Sequence, residues 1–153
     1  MKTSQSVMNV VFICALASGI CCAAEQASGV KGQIVFQSDR DDNVEIFHIN
    51  ADGSNLVQIT HTEPINENDP VGSYAPAYSL DGKQIVFNRR GNDTPDTLFV
   101  MDADGKNLVQ LTSKKTPDYL PNYSPDGKKI VFTGERDGNA DVYVIDAGGK
   151  NRT

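Results

Sequence analysis

Pro121-Asn122-Tyr123-Ser124-Pro125-Asp126-Gly127-Lys128-Lys129-Ile130-Val131-Phe132 joins a tight turn to an apolar run within twelve residues. Proline at 125 presets φ, and glycine at 127 tolerates the positive φ that closes such a turn. The β-branched and aromatic run Ile130–Phe132 behind it predicts a strand. Pro76-Ala77-Tyr78-Ser79-Leu80-Asp81-Gly82-Lys83 leads in the same way into Ile85-Val86-Phe87, and a further Ile-Val-Phe stands at Ile34–Phe36. The three triplets lie 51 and 45 residues apart, the longer interval containing an insert around His61–Ser73.

The repetition continues on the far side of each triplet. A polar, turn-rich stretch follows (from Ser38, Arg89 and Gly134), then a second apolar run: Glu45–Asn50, Thr97–Asp102 and Asp141–Asp146. Ala51-Asp52-Gly53, Ala103-Asp104-Gly105 and Ala147-Gly148-Gly149 come next, and two copies go on to Asn55–Thr60 and Asn107–Thr112. Landmarks recurring in fixed order at a period near 45 residues are the signature of a repeat architecture. No stretch beyond residue 24 keeps a 3.6-residue apolar period, so the chain reads as all β. Ile85, Val86 and Phe87 are apolar in succession, as are Leu98 through Met101, so these strands need cover on both faces. Sheets stacked radially supply that cover, which is the β-propeller arrangement.

On these residues the chain resembles the TolB-like β-propeller repeat family. Its pattern runs P-x-aromatic-S-P-D-G, a short I-V/A-F strand, S-x-R-D-G-N, an I-Y-V-M-D strand, A-D-G and a final L-T. Residues 33–153 follow it, with Leu80 in place of one turn proline and Gly148 in place of the last aspartate. The resemblance implies four-stranded antiparallel blades, strand A innermost and D outermost. The chain then reads B, C, D; A, B, C, D; A, B, C, an incomplete propeller of two and a half blades. Two readings of that incompleteness stay open: a piece of a longer propeller protein, and several chains assembling into a ring through open blade edges.

Ahead of the repeats, Met1-Lys2 gives a short positive start, Val7–Ile20 is uncharged and mostly apolar, and Cys22-Ala23-Ala24 offers small residues at a cleavage position. This predicts a signal peptide at 1–24 and a linker at 25–32. The apolar run is too short for a comfortable membrane span. Cys14, Cys21 and Cys22 all fall inside the predicted leader, so the exported form would contain no disulfide and no thiol site. The chain carries 14 basic and 20 acidic side chains, a balance that excludes the basic footprint of nucleic-acid binding.

No residue is assigned a catalytic, cofactor-binding or metal-ligating role. His48 aligns with Val100 and Val144 and so reads as a packing position, while His61 opens the insert. Asp39, Asp41, Asn43 and Glu45 alternate as oxygen ligands could, but Val44 stands where a calcium loop needs glycine, and these residue types are ordinary hairpin formers. Arg89-Arg90 and Lys114-Lys115 read as solvated loop charge, and the insert holding Glu63, Glu67 and Asp69 reads as an ordinary long connection, with a recognition loop as the alternative. Neither G-x-S-x-G nor H-E-x-x-H occurs.

The resemblance implies a non-enzymatic, exported binding scaffold of the bacterial cell envelope, periplasmic or else secreted, with a protein or envelope component as partner and no cofactor. The alternative is part of the propeller domain of a prolyl-oligopeptidase-type serine peptidase.

Overall fold

The computed structural model describes residues 32–41, 43–63, 71–91, 94–113 and 115–153. The predicted leader and all but the last residue of the linker lie outside them, as do residues 64–70 of the insert. Ten strands and no helix occur among the described residues. They are β1 (Gln33–Asp41), β2 (Asn43–Asn50), β3 (Val57–Gln58), β4 (Gly72–Tyr78), β5 (Gln84–Gly91), β6 (Thr94–Asp102), β7 (Val109–Gln110), β8 (Asp118–Tyr123), β9 (Lys129–Arg136) and β10 (Asn139–Asp146).

Their pairing is that of successive blades. β1, β2 and β3 form an antiparallel set, as do β4 through β7 and β8 through β10. A single parallel bridge, Val44 to Gly72, ties the first blade to the second. The triplets occupy matching registers: Phe36 faces Phe47, Phe87 faces Phe99, and Phe132 faces Tyr143. Each of these aromatic pairs is stacked with ring centroids 5.8 to 5.9 Å apart. The last four residues add a feature the sequence reading did not anticipate. Thr153 exchanges two backbone hydrogen bonds of 2.9 Å with Val144, at the place where Val57 and Val109 pair in the other blades. A fourth strand therefore begins in the third blade.

The turns form for local reasons. In Ser124–Gly127 the glycine N–H donates to the serine carbonyl at 2.8 Å with φ of +68°, and Ser79–Gly82 repeats this at 2.9 Å and +67°. The serine hydroxyls donate to Asp126 and Asp81, which holds both carboxyls below the usual carboxylate range. Asp137 and Gly138 both have positive φ and join β9 to β10 in a two-residue hairpin.

The core sits between blades. Val86 and Leu98 of the second blade pack on Ile130, Phe132 and Ile145 of the third. Ile46 of the first packs on Ile85, Phe87 and Met101 of the second. Consecutive apolar residues are used on both sides: Ile85 faces backward, Val86 forward, and both are fully buried. Burying each such side chain contributes about 1.5–3 kcal/mol, so the junctions are where the array gains its stability.

A polar contact sets the spacing. Ala75 and Leu120, each just before a proline, adopt left-handed φ of 49° and 55° where the β4–β5 and β8–β9 registers slip. Their N–H groups donate to Gln37 Oε1 (2.7 Å) and Asn88 Oδ1 (3.3 Å) of the preceding blade. A non-glycine residue in that conformation costs roughly 1–2 kcal/mol, so the bond to the neighbouring blade helps hold it there.

Candidate functional site

Antiparallel pairing brings the start of β4, the end of β5, the start of β6, the start of β8 and the end of β9 to one end of the array. Charged and aromatic side chains gather there. In the third blade Asp118 is fully buried at the start of β8. Its Oδ1 accepts from Arg136 Nη2 and Arg152 Nη2, both at 2.8 Å. Arg152 also lies over the Phe132 and Tyr143 rings, 4.9 and 4.5 Å from their centroids. The space it needs comes from Gly134, where a Cβ would stand 2.8 Å from Asp118 Oδ1 and 3.0 Å from Arg152 Nη2.

The second blade solves the same problem with other residues. Ser73 stands at the position of Asp118, and Arg89 Nε donates to its hydroxyl at 3.3 Å while lying 5.4 Å from both the Phe87 and Phe99 rings. Burial pulls the Arg89 guanidinium below its ordinary range, and the Glu45 carboxylate opposes that shift. Asp96, also buried, accepts from Asn88 Nδ2 at 2.7 Å and from Arg90 Nε and Nη2 at 3.1 and 2.8 Å. Arg90 passes over the Tyr74 ring, and its own charge is favoured first by the hydrogen bond to Asp96. Tyr119 donates to Glu135 at 3.1 Å. In the first blade Arg40 covers Phe36 and Phe47. Buried Glu45 accepts from the Thr60 hydroxyl at 2.5 Å and from the Thr62 N–H.

Each buried carboxylate is thus matched by a guanidinium or by fixed N–H and O–H donors, the condition under which a buried charge is tolerated. Such groups act as anchors. They fix the hairpins, and Asp96 and Asp118 hold guanidinium groups in place; half of the Arg90 side chain remains exposed.

The sequence-predicted candidates fall as follows. Arg89 and Arg90 are not solvated loop charge: both lie in β5, one stacked on aromatics and one paired with Asp96, because that hairpin is strand to Gly91. His48 sits opposite Val35 in the packing position, with Nδ1 buried and no hydrogen-bond partner among the described residues. His61 and Glu63 are exposed. Glu67 and Asp69 lie outside the described residues, as does Lys114; Lys115 is exposed. Of the alternating acidic set, Glu45 is committed to Thr60 and Thr62, Asn43 Nδ2 donates to the Thr62 carbonyl at 2.7 Å, and Asp39 is exposed.

Sequence reasoning missed Asp96, Asp118, Arg136 and Arg152. A signal for three partners was present: the third copy has aspartate for Ser73, glycine for Arg89 and Arg152 for Leu56 and Leu108. Three departures in one copy, of complementary size and charge, meet in space.

No helix among the described residues is long and apolar enough to cross a membrane. Solved structures of the same fold include a protein of Agrobacterium tumefaciens assigned as TolB, 24% identical with a TM-score of 0.67 over 79% of this chain and 44% of that one. TolB from Acinetobacter baumannii is also 24% identical, with a TM-score of 0.61 over 78% of this chain and 28% of that one. A chain of a nidogen/laminin complex gives a TM-score of 0.63 at 14% identity, over 82% of this chain and 44% of the other. The chain therefore spans less than half the length of these structures. Residues 67–153, more than half of the chain, match the TolB beta propeller domain, and the chain belongs to that family.

Proposed function

We propose that the chain is an exported, non-enzymatic binding scaffold that meets a protein or envelope component, in the periplasm or outside the cell, through the arginine- and tyrosine-bearing end of its blades. The observation that carries this reading is Arg90, held by two hydrogen bonds to buried Asp96 and passing over the Tyr74 ring, with Tyr119 bonded to Glu135 at the same end of the blades. Arginine and tyrosine dominate the binding energy of protein interfaces, and side chains already held in place lose less entropy when a partner arrives. The positive start, apolar run and small-residue end of residues 1–24 support export.

The test is in-cell crosslinking of a tagged full-length chain, with fractionation and N-terminal sequencing. The expected result is an extracytoplasmic product beginning at Glu25, with adducts that fade in R90E and Y119A chains. A cytoplasmic product with an intact leader, or adducts indifferent to both substitutions, would contradict the proposal. So would hydrolysis of peptide or ester substrates by the purified chain.

A further inference from the structure

Five Asp-Gly pairs occur in the chain: Asp52-Gly53, Asp81-Gly82, Asp104-Gly105, Asp126-Gly127 and Asp137-Gly138. An aspartate followed by glycine can cyclise, because the second residue has no side chain to shield its amide nitrogen. Two groups decide whether it does: the aspartate carboxyl, which is attacked, and the glycine N–H, which attacks.

In four of the pairs both groups are held. Asp52, Asp81, Asp104 and Asp126 each accept the N–H two residues on at 2.9–3.1 Å. Each also takes part in a side-chain hydrogen bond of 2.6–2.7 Å, from Ser54, Ser79, Lys106 and Ser124 respectively. Their glycines donate to the carbonyl three residues back at 2.8–2.9 Å. The side-chain bond is the largest cause holding each of the four carboxyls below the usual carboxylate range. A carboxyl that rarely carries a proton rarely releases an oxygen as water.

Asp137-Gly138 lacks these restraints. Among the described residues the Asp137 carboxylate accepts no hydrogen bond and the Gly138 N–H donates none. Both residues are exposed and left-handed, with φ of +51° and +82°. That conformation is unfavourable for an aspartate, so the turn gives up little when it opens. The exposure belongs to this end of the blades. In the first blade, which has a blade after it, Asp39 and Arg40 stand at the positions of Glu135 and Arg136 and are exposed at the same hairpin.

We propose that Asp137 is the site at which the folded chain converts spontaneously to isoaspartate. The Gly138 nitrogen loses its proton and bonds to the Asp137 Cγ, and a carboxyl oxygen leaves as water, closing a succinimide ring. One water molecule then opens the ring. Attack at Cγ restores aspartate. Attack at the main-chain carbonyl carbon breaks its bond to the Gly138 nitrogen and leaves the chain linked through Cγ, with the free carboxylate on Cα. One water is lost and one regained, and no oxidant or cofactor enters. The product has one more carbon in its main chain. That added length falls next to Arg136, which bonds to Asp118, and at the closed end of the β9–β10 ladder, where Arg136 faces Asn139.

The test is to age the folded full-length chain in warm, near-neutral buffer and map its peptides, with electron-transfer fragmentation separating the two isomers at each site. Isoaspartate is expected at Asp137 at least about tenfold faster than at any of the other four, the margin supplied by hydrogen bonds at both reacting groups. The same chain held in denaturant is expected to convert at all five sites at similar rates. Asp137 matching or trailing another site in the folded chain would overturn the proposal. An equal lead for Asp137 in denaturant would do so too, because the cause would then lie in the flanking residue types and not in the fold.

Discussion

Asp118 shows how one carboxylate organises a blade. It is fully buried and receives two guanidiniums, one from the β9–β10 hairpin and one from the C-terminal segment. Asp118→Ala leaves Arg136 and Arg152 without their acceptor. Because both arginines keep some solvent contact, the expected loss is at the lower end for a broken buried pair, about 3 kcal/mol by chemical denaturation. Arg152→Leu, which restores the residue type of the other two copies, is expected to cost less than Asp118→Ala, since Arg136 still pairs with the carboxylate. Tyr123 makes a separate prediction. Its hydroxyl is buried without a hydrogen-bond partner among the described residues, and burial, with a smaller push from Asp81, raises its pKa to about 12 from 10.0. The folded state thus binds this proton more tightly than the unfolded chain. The resulting stability is complete below pH 10 and declines as pH rises toward 12. Tyr123→Phe removes that share of the alkaline loss while staying within about 1 kcal/mol of wild type at neutral pH, because no bond is broken. Denaturation midpoints at neutral and alkaline pH check both points.

The turn after the second apolar run occurs three times and isolates what a neighbouring blade contributes. Gly53, Gly105 and Gly149 have φ of +83°, +85° and +79° and each donates its N–H to the residue three before it at 2.8–2.9 Å. A Cβ on Gly53 meets nothing within 4 Å, whereas on Gly105 it would come 3.1 Å from the Ile59 carbonyl oxygen, and on Gly149 3.1 Å from that of Leu111. Gly53→Ala is therefore expected to cost about 1 kcal/mol, the conformational penalty alone. Gly105→Ala and Gly149→Ala add a clash with backbone and cost roughly 3 kcal/mol. Equal losses at all three positions, measured by denaturation, would mean that the preceding blade does not press on these turns. The strand-forming runs and turns were legible in the sequence because φ preference and apolar pattern are local properties. Arg89, Arg90 and Asp96 were not, because their partners are fixed by hairpin register. The slipped register at Ala75 and Leu120 was equally hidden, since neither residue type announces a left-handed φ.

At the scale of the molecule, repetition carried the reading. Near-copies of a B–C–D unit buried on two sides had to stack, and the sequence showed the copies. It did not show that Arg152 and Thr153 complete part of the third blade, because those residues depart from the copies they replace. Exposure of Ile34, Val131 and Val142 follows from the same repetition, each being an ordinary junction residue without its neighbour. Blades meeting face to face are the centre of this architecture, and methyl nuclear Overhauser effects measure that contact. With selectively labelled isoleucine, leucine and valine, cross-peaks are expected from Val86 and Leu98 to Ile130 and Ile145, and from Ile46 to Ile85. Well-resolved methyl signals from these residues with no cross-peak between blades would contradict it.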